Sequence, residues 1–367
     1  MEGFAACFTG LKDPRTGNAS RHLLLELLMI ALCAVLCGAQ GCVDMAEFGK
    51  AKEVFLRQFL TLPHGTPSHD TFSRVFRLLD PDHFRSCFRK FMAEFAQVCD
   101  GVIAVDGKQL RHSFDTASGT SALHMVTAWA SDQHLVLAQI ATDEKSNEII
   151  AVPKLLRMLS LEGMIVTADA LNCQRETSKQ IVEQGGDYVL ALKENQPTLY
   201  SDVAVFLDDP ETEIQDISTT VDGDHGRIET RTAIVSTDIE WLKEDHKWPG
   251  LEAIGKIIRV RETPKGTTTE TAYYILSRAL SAERFGAVAR SEWGIENGLH
   301  WVLEVVMNED YLRNRKDNGP YNLAVLRHLA LNVIQMGKSK GSKRVKSKRA
   351  GWDDRFLASL LMQFRTT

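Results

Sequence analysis

No C-x-x-C pair occurs in the chain, and its seven cysteines follow no regular spacing. That pattern excludes a zinc ribbon and a dithiol redox motif, and the odd, scattered count fits a reducing compartment. Cys33 and Cys37, four positions apart in an apolar stretch, read as small core residues. No apolar run is both long and uncharged enough to suggest a membrane span. The most apolar stretch, residues 23–39, contains Glu26 and follows Lys12, Asp13, Arg15 and Arg21, so it reads as a buried core helix rather than a signal or anchor. The expectation is therefore a cytoplasmic protein with no membrane partner. Internal repeats are absent. An excess of positive charge is also absent: the net charge is −5, which by itself argues against nucleic acid as a partner.

The distribution of charge says more than its sum. Residues 208–224 hold seven acids and no Lys or Arg, whereas residues 338–349 hold seven Lys/Arg and no acid. A local basic stretch neutralises phosphates whatever the total charge. With 367 residues the chain has room for two or three domains and a sizeable core.

Residues 1–95 read as helical. Apolar spacing predicts helices over 23–37 and 43–59, then 69–79 behind a Ser68 N-cap, then 82–98 after Asp80-Pro81. The period changes at residue 101. Short β runs at 102–105, 123–130 and 135–141 come first, the last two joined by a turn at 131–134. A helix over 148–159, a strand over 164–168, a helix over 174–184, a strand over 188–192 and a helix from Pro197 follow. The order β-β-β-α-β-α-β-α predicts an α/β protein with a mixed sheet, as in the RNase H-like fold. Residues 208–280 then read as a β-rich insertion with runs at 231–236, 253–260 and 270–277. Helices are expected over 282–306 and 321–336, and a short one over 354–364 after the basic segment. The resulting division is a helical region 1–95, a catalytic domain 96–336 and a basic tail 337–367.

Three acids sit where phosphodiester chemistry needs them. Asp106 ends the apolar run from Gly101, and Asp169 ends the run from Gly163. If the first and fourth strands are parallel neighbours, both carboxylates emerge together at C-terminal strand ends, where open α/β sheets hold their sites. Glu296 lies on the shoulder of a helix whose core stripe is Ile295, Leu299, Val302 and Val306. Such a trio can hold two Mg2+ ions, Mn2+ being a substitute, for in-line attack on a phosphodiester. Spacing leaves Glu292 and Glu304 open as alternative third acids. Lys108 and Lys193, each just past a strand, read either as phosphate contacts or as solvated surface. Trp293 and Trp301 read either as base-stacking platforms or as core packing. His300 has no second His at ligand spacing, so it reads as structural or phosphate-facing. Phosphate contact is the expected role of the basic segment, including Lys343, Arg344, Lys346, Lys348 and Arg349.

The chain resembles DDE transposases of bacterial insertion sequences, most closely the H-repeat-associated group, over nearly its full length. The resemblance is carried by Asp13-Pro-Arg15, Phe48-Gly-Lys-Ala-Lys52 and Pro67-Ser-His-Asp-Thr-Phe72. It continues through Ala104-Val-Asp-Gly-Lys108, Thr167-Ala-Asp-Ala170, Ala191-Leu-Lys-Glu-Asn-Gln196 and His225-Gly-Arg-Ile-Glu-Thr-Arg231. It ends with Trp293-Gly-Ile-Glu-Asn297, Leu299-His-Trp301 and Glu309-Asp310. It implies an RNase H-like core whose catalytic, metal-holding triad is Asp106, Asp169 and Glu296, which settles the choice among the three glutamates. It further implies cleavage at transposon ends, strand transfer into target DNA and a homodimer on double-stranded DNA. Arg290, Trp293, Asn297 and His300 join the basic residues as expected DNA contacts. The wider relatives' Tyr-x-x-Arg-x-x-x-Glu-x-x-x-x-x-x-Lys signature is altered here: Ala289, Glu292 and Leu303 occupy the Tyr, Arg and Lys positions. The closer relatives usually carry His at 292 and Asp at 304, and this chain has Glu at both. Two alternatives to a working transposase are a catalytically silent, domesticated DNA-binding protein and a stand-alone metal-dependent nuclease.

Overall fold

A computed structural model describes residues 2–96, 101–116, 119, 121–142, 147–213, 216–224 and 226–364. After a short helix, Glu2–Phe8, that none of the expected helices covered, three helices follow the apolar spacing closely: Leu24–Leu36, His69–Leu78 behind the Ser68 cap, and Pro81–Ala96. The expected end of the last of these, at residue 98, lies outside the described residues. The helix expected over 43–59 is broken into Cys42–Ala51 and Glu53–Leu56 at Lys52, whose ammonium reaches out 2.7 Å to Asp354.

Nine strands form one sheet: β1 (Val102–Gln109), β2 (His124–Ala130), β3 (Leu135–Thr142), β4 (Ile165–Ala168), β5 (Asp187–Leu192), β6 (Asp216–Asp224), β7 (Arg227–Ser236), β8 (Ala253–Thr263) and β9 (Gly266–Leu276). Their order is β3-β2-β1-β4-β5-β9-β8-β7-β6. β1, β2 and β3 are antiparallel, turning at His134 with φ 57°, while β1, β4 and β5 run parallel. That is the RNase H-like arrangement. The insertion strands do not form a separate layer, because β9 pairs with β5 and the β6–β9 meander extends the same sheet. β6 falls in the acidic stretch, an edge strand whose Asp216, Asp222 and Asp224 and few apolar residues hid its strand pattern.

Alternation along the strands sends side chains into two cores. On β5, Tyr188, Leu190 and Leu192 enter the larger one and Val189 and Ala191 the smaller. The larger core is shared with the N-terminal helices and with the almost wholly buried helix Gly319–Met336. The smaller core is closed by the helix Ala282–Ile295 through Ala282, Phe285, Val288 and Ala289. Gly255 on β8 lets this helix seat closely, since a Cβ there would stand 2.6 Å from the Phe285 ring. One uninterrupted helix was expected from residue 282. The structure instead turns from α-helix to π-helix at Glu296–His300 and resumes as Trp301–Val305. The basic segment is not an unstructured tail: Ser342 caps a helix, Lys343–Trp352, which buries Lys346, Ser347 and Ala350. Among the described residues, no helix is long and apolar enough to cross a membrane.

Candidate active site

β1 runs past the end expected for it, because β2 offers it a partner as far as Gln109. Its last parallel pairing is Val105 with Ala168, so Asp106 and Asp169 are the next residues on two adjacent strands as β4 stops. Asp106 Oδ1 accepts a hydrogen bond of 2.8 Å from the Gly107 amide. Burial pushes its carboxyl up to about 7 against that bond, and the negative charges of Asp169, Glu148 and Glu296 add to the rise. Asp169 caps a turn over Ala170–Asn172, its Oδ1 accepting from the Asn172 backbone N–H (3.3 Å) and Nδ2 (2.9 Å). Nδ2 also lies 3.3 Å from Glu148 Oε2, and Glu148 Oε1 is 2.5 Å from His124 Nε2. A buried His124–Glu148–Asn172 chain therefore braces Asp169 from behind. Gly107 passes over it so closely that a Cβ would stand 2.3 Å from Glu148 Oε1 and 2.4 Å from His124 Nε2.

Glu296 opens the π turn and is exposed at the rim, while His300 is buried below it. One ligand atom from each of Asp106, Glu296 and His300 lies within 4.8 Å of the others. A π turn re-aims the side chains it carries, which is why such turns recur at functional sites. Burial, with Lys108 nearby, holds the imidazole down at about 4, so it is neutral above that pH. Glu292, one helical turn earlier, also faces the cleft. Its carboxyl is pushed up to about 7 by burial and then by Asp169 and Asp106, with Lys193 opposing. The cleft thus gathers four carboxylates. Such a donor set fits divalent cations, which take oxygen ligands and offset the mutual repulsion of gathered carboxylates.

A pH-dependence follows. Asp106 and Glu292 have folded-state values above their unfolded ones, so the native state holds their protons more tightly. Their contribution to stability is greatest at low pH and falls as pH rises toward and past 7. Mg2+ should accordingly raise the melting temperature more at pH 8 than at pH 5.5, relative to EDTA. An equal shift at both pH values in thermal melts would contradict this.

The remaining expected site residues divide by burial. Lys193 is exposed beside Glu292. Lys108 turns inward, its ammonium 3.0 Å from Glu304, 3.8 Å from Glu309 and 3.7 Å from Asp310, which takes it away from phosphates. Arg290 pairs with Asp222 of β6 at 2.7 Å and so ties the insertion to the helix carrying Glu296. Trp293 and Trp301 are 51% and 52% exposed, so neither packs in the core. Arg259 stacks 4.6 Å over the Trp293 ring. Asn297 is exposed, with Nδ2 donating to the Trp293 carbonyl at 3.4 Å. Lys343 is half-buried and donates to the Gly298 carbonyl of the π turn at 3.2 Å. Lys346 is buried and caps the long helix by donating to the carbonyls of Ile334 (3.3 Å) and Gly337 (2.7 Å), so it is not a phosphate contact. Arg344, Lys348 and Arg349 remain exposed. Replacing those three with Ala should lower the slope of log binding against log salt by about 0.9 for each phosphate no longer neutralised. Lys346→Ala should leave the slope alone and lower thermal stability instead; parallel filter-binding and melting experiments separate the two.

Sequence reading missed Glu148, Asn172 and His124. Asn172, three positions after Asp169 at a strand end, carries a recognisable turn signal. Nothing local marks the other two.

A family model described as a Transposase DDE domain matches residues 97–333, and one described as DDE_Tnp_1-associated matches residues 5–92. The H repeat-associated protein YhhI of Escherichia coli strain K12 is 38% identical over 363 residues, covering 96% of this chain and 95% of that one. An uncharacterised protein in the dhlA 3′ region of Xanthobacter autotrophicus is 42% identical over 275 residues, covering 74% of this chain and 92% of its own. Among solved structures, a piggyBac transposase synaptic complex with hairpin DNA aligns with TM-score 0.48 and 10% identity, over 98% of this chain and 77% of that one. With both family models matched and full-length relatives at this identity, the chain belongs to the DDE transposases.

Proposed function

We propose that the chain cuts DNA at the ends of its element and joins the freed 3′ ends to target DNA, with divalent cations held by Asp106, Asp169 and Glu296. The observation that carries this reading is the meeting of β1, the end of β4 and the π turn at one cleft of carboxylates. Bound cations would supply Lewis-acid stabilisation of the leaving oxygen and activation of water or a 3′-hydroxyl. The protein's part is to hold the carboxylates without their protons. Burial and the charges of Asp169 and Glu296 make the Asp106 carboxyl hold a proton more firmly than an ordinary Asp, and it must surrender that proton to a cation. Asn172 keeps Asp169 Oδ1 occupied, so that its second oxygen is the one left to take a cation. Lys193 and the exposed Arg344, Lys348 and Arg349 orient phosphates by charge, and the half-exposed Trp293 and Trp301 offer faces for unpaired bases.

In this reading the helical region 1–95 recognises element ends, residues 96–336 cut and join, and two copies act on paired ends within the cytoplasm. The test is an assay with labelled end DNA and a supercoiled target plasmid, with Mg2+ or EDTA. Nicked and joined products with Mg2+ alone are expected. Cutting without joining would instead make the protein a nuclease. Binding alone, with the triad intact, would make it a silent DNA-binding relative.

A further inference from the structure

His300 follows Glu296 by four positions, on the same face of the π turn, and lies deeper in the cleft. It is 8% exposed, and its Nε2 is buried with no hydrogen-bond partner. Its Nδ1 stands 3.5 Å from Asp106 Oδ2. That is too long for an N–H···O hydrogen bond, which spans about 2.7–3.2 Å. Two ligands at right angles around a cation, with bonds of about 2.1 Å, stand about 3 Å apart. A small approach of the two side chains would therefore seat an ion between them, with Glu296 closing the set from the rim. Lys108 is the positive neighbour that would oppose a cation here, but its ammonium is already matched by Glu304, Glu309 and Asp310.

We propose that His300 is the third protein ligand, with Asp106 and Glu296, of one cation position. That gives the position a mixed nitrogen–oxygen set which takes first-row transition cations ahead of Mg2+. The inference rests on the metal-dependent reading above and deepens it. Oxygen ligands suit Mg2+, whereas imidazole suits later cations, whose affinities rise from Mn2+ through Co2+ to Ni2+. Asp169, anchored through Asn172, serves the other position.

Pulsed EPR of Mn2+ added to the full-length protein tests this without any reaction. Bound Mn2+ in the wild type should show nitrogen coupling from one imidazole, and His300→Gln should remove it while Mn2+ still binds. In competition, Co2+ affinity should fall at least about tenfold in His300→Gln, since losing even an outer-shell partner typically costs 10–100-fold, and Mn2+ affinity should fall less because imidazole favours the later cation. Bound Mn2+ without nitrogen coupling in the wild type overturns the assignment of His300 and leaves the metal-dependent reading standing. Coupling that survives in His300→Gln does the same. A wild-type protein that binds no Mn2+ at all overturns both.

Discussion

Asp106→Asn should lower Mg2+-dependent cleavage of end DNA by about 10³-fold or more, while DNA binding stays within a few fold. Asp106 interacts with both Asp169 and Glu296, so neutralising it removes a carboxylate coupled to each of them. A bound cation is worth several kcal/mol of transition-state charge stabilisation, and each 1.36 kcal/mol is about tenfold in rate. A merely unfolded variant would also lose activity, and a second measurement excludes that. The native protein carries Asp106 at about 7, raised by burial and its acidic neighbours. Removing that carboxylate should therefore stabilise the cation-free protein at pH 8 and flatten the stabilisation that Mg2+ confers there. Full cleavage by Asp106→Asn, or a lower melting temperature in EDTA at pH 8, would defeat the assignment.

Gly107→Ala is the second change with a large expected effect, and it acts without touching a cleft carboxylate. The added methyl meets Glu148 Oε1 at 2.3 Å and His124 Nε2 at 2.4 Å, both on side chains buried to within a few per cent. Overpacking a core costs about 1–3 kcal/mol. Breaking a buried charged pair costs about 3–5 kcal/mol. A loss of roughly 3 kcal/mol in stability is expected, read by urea or thermal unfolding, with cleavage depressed further because Glu148 no longer braces Asn172 and Asp169. Glu148→Gln keeps the shape and the acceptor facing His124, so it should lose less stability than Gly107→Ala. If Gly107→Ala is as stable as the wild type, the closeness of β1 to that pair has no energetic consequence.

Both predictions concern the same corner of the fold, and they differ in how far the sequence shows it. Asp106 and Asp169 end apolar runs, and an acid at the end of such a run in a β-α alternation is visible by eye. The strand order that makes them neighbours followed from the same alternation. Glu148 was invisible: it begins an amphipathic helix, where an acid is ordinary, and its partner His124 begins a strand 24 residues earlier, with another strand between them. Lys108 and Lys346 show the converse. A place just past a strand and a place in a basic run offered them as phosphate contacts, yet each ammonium is held inside, by three acids in one case and by two helix-end carbonyls in the other. Charge in a sequence has no direction; burial gives it one.

The π turn is the clearest case. Apolar positions 295, 299, 302 and 306 fit an ordinary helix, no Pro interrupts them, and Gly294 and Gly298 are each tolerated singly within a helix. The i→i+5 bond from the Trp301 N–H to the Glu296 carbonyl is nevertheless what sets Glu296 at the rim and His300 beneath it beside Asp106. The amino-acid order alone determined the strand and helix alternation and the placing of an acid at the close of each of two apolar runs, because each depends on local period and composition. Only the tertiary structure decided that the insertion extends the sheet, that Glu292 and His300 join the acids, and that His124 and Glu148 stand behind Asn172 and Asp169. Those features depend on which surfaces distant segments bury against one another, and no local pattern records that.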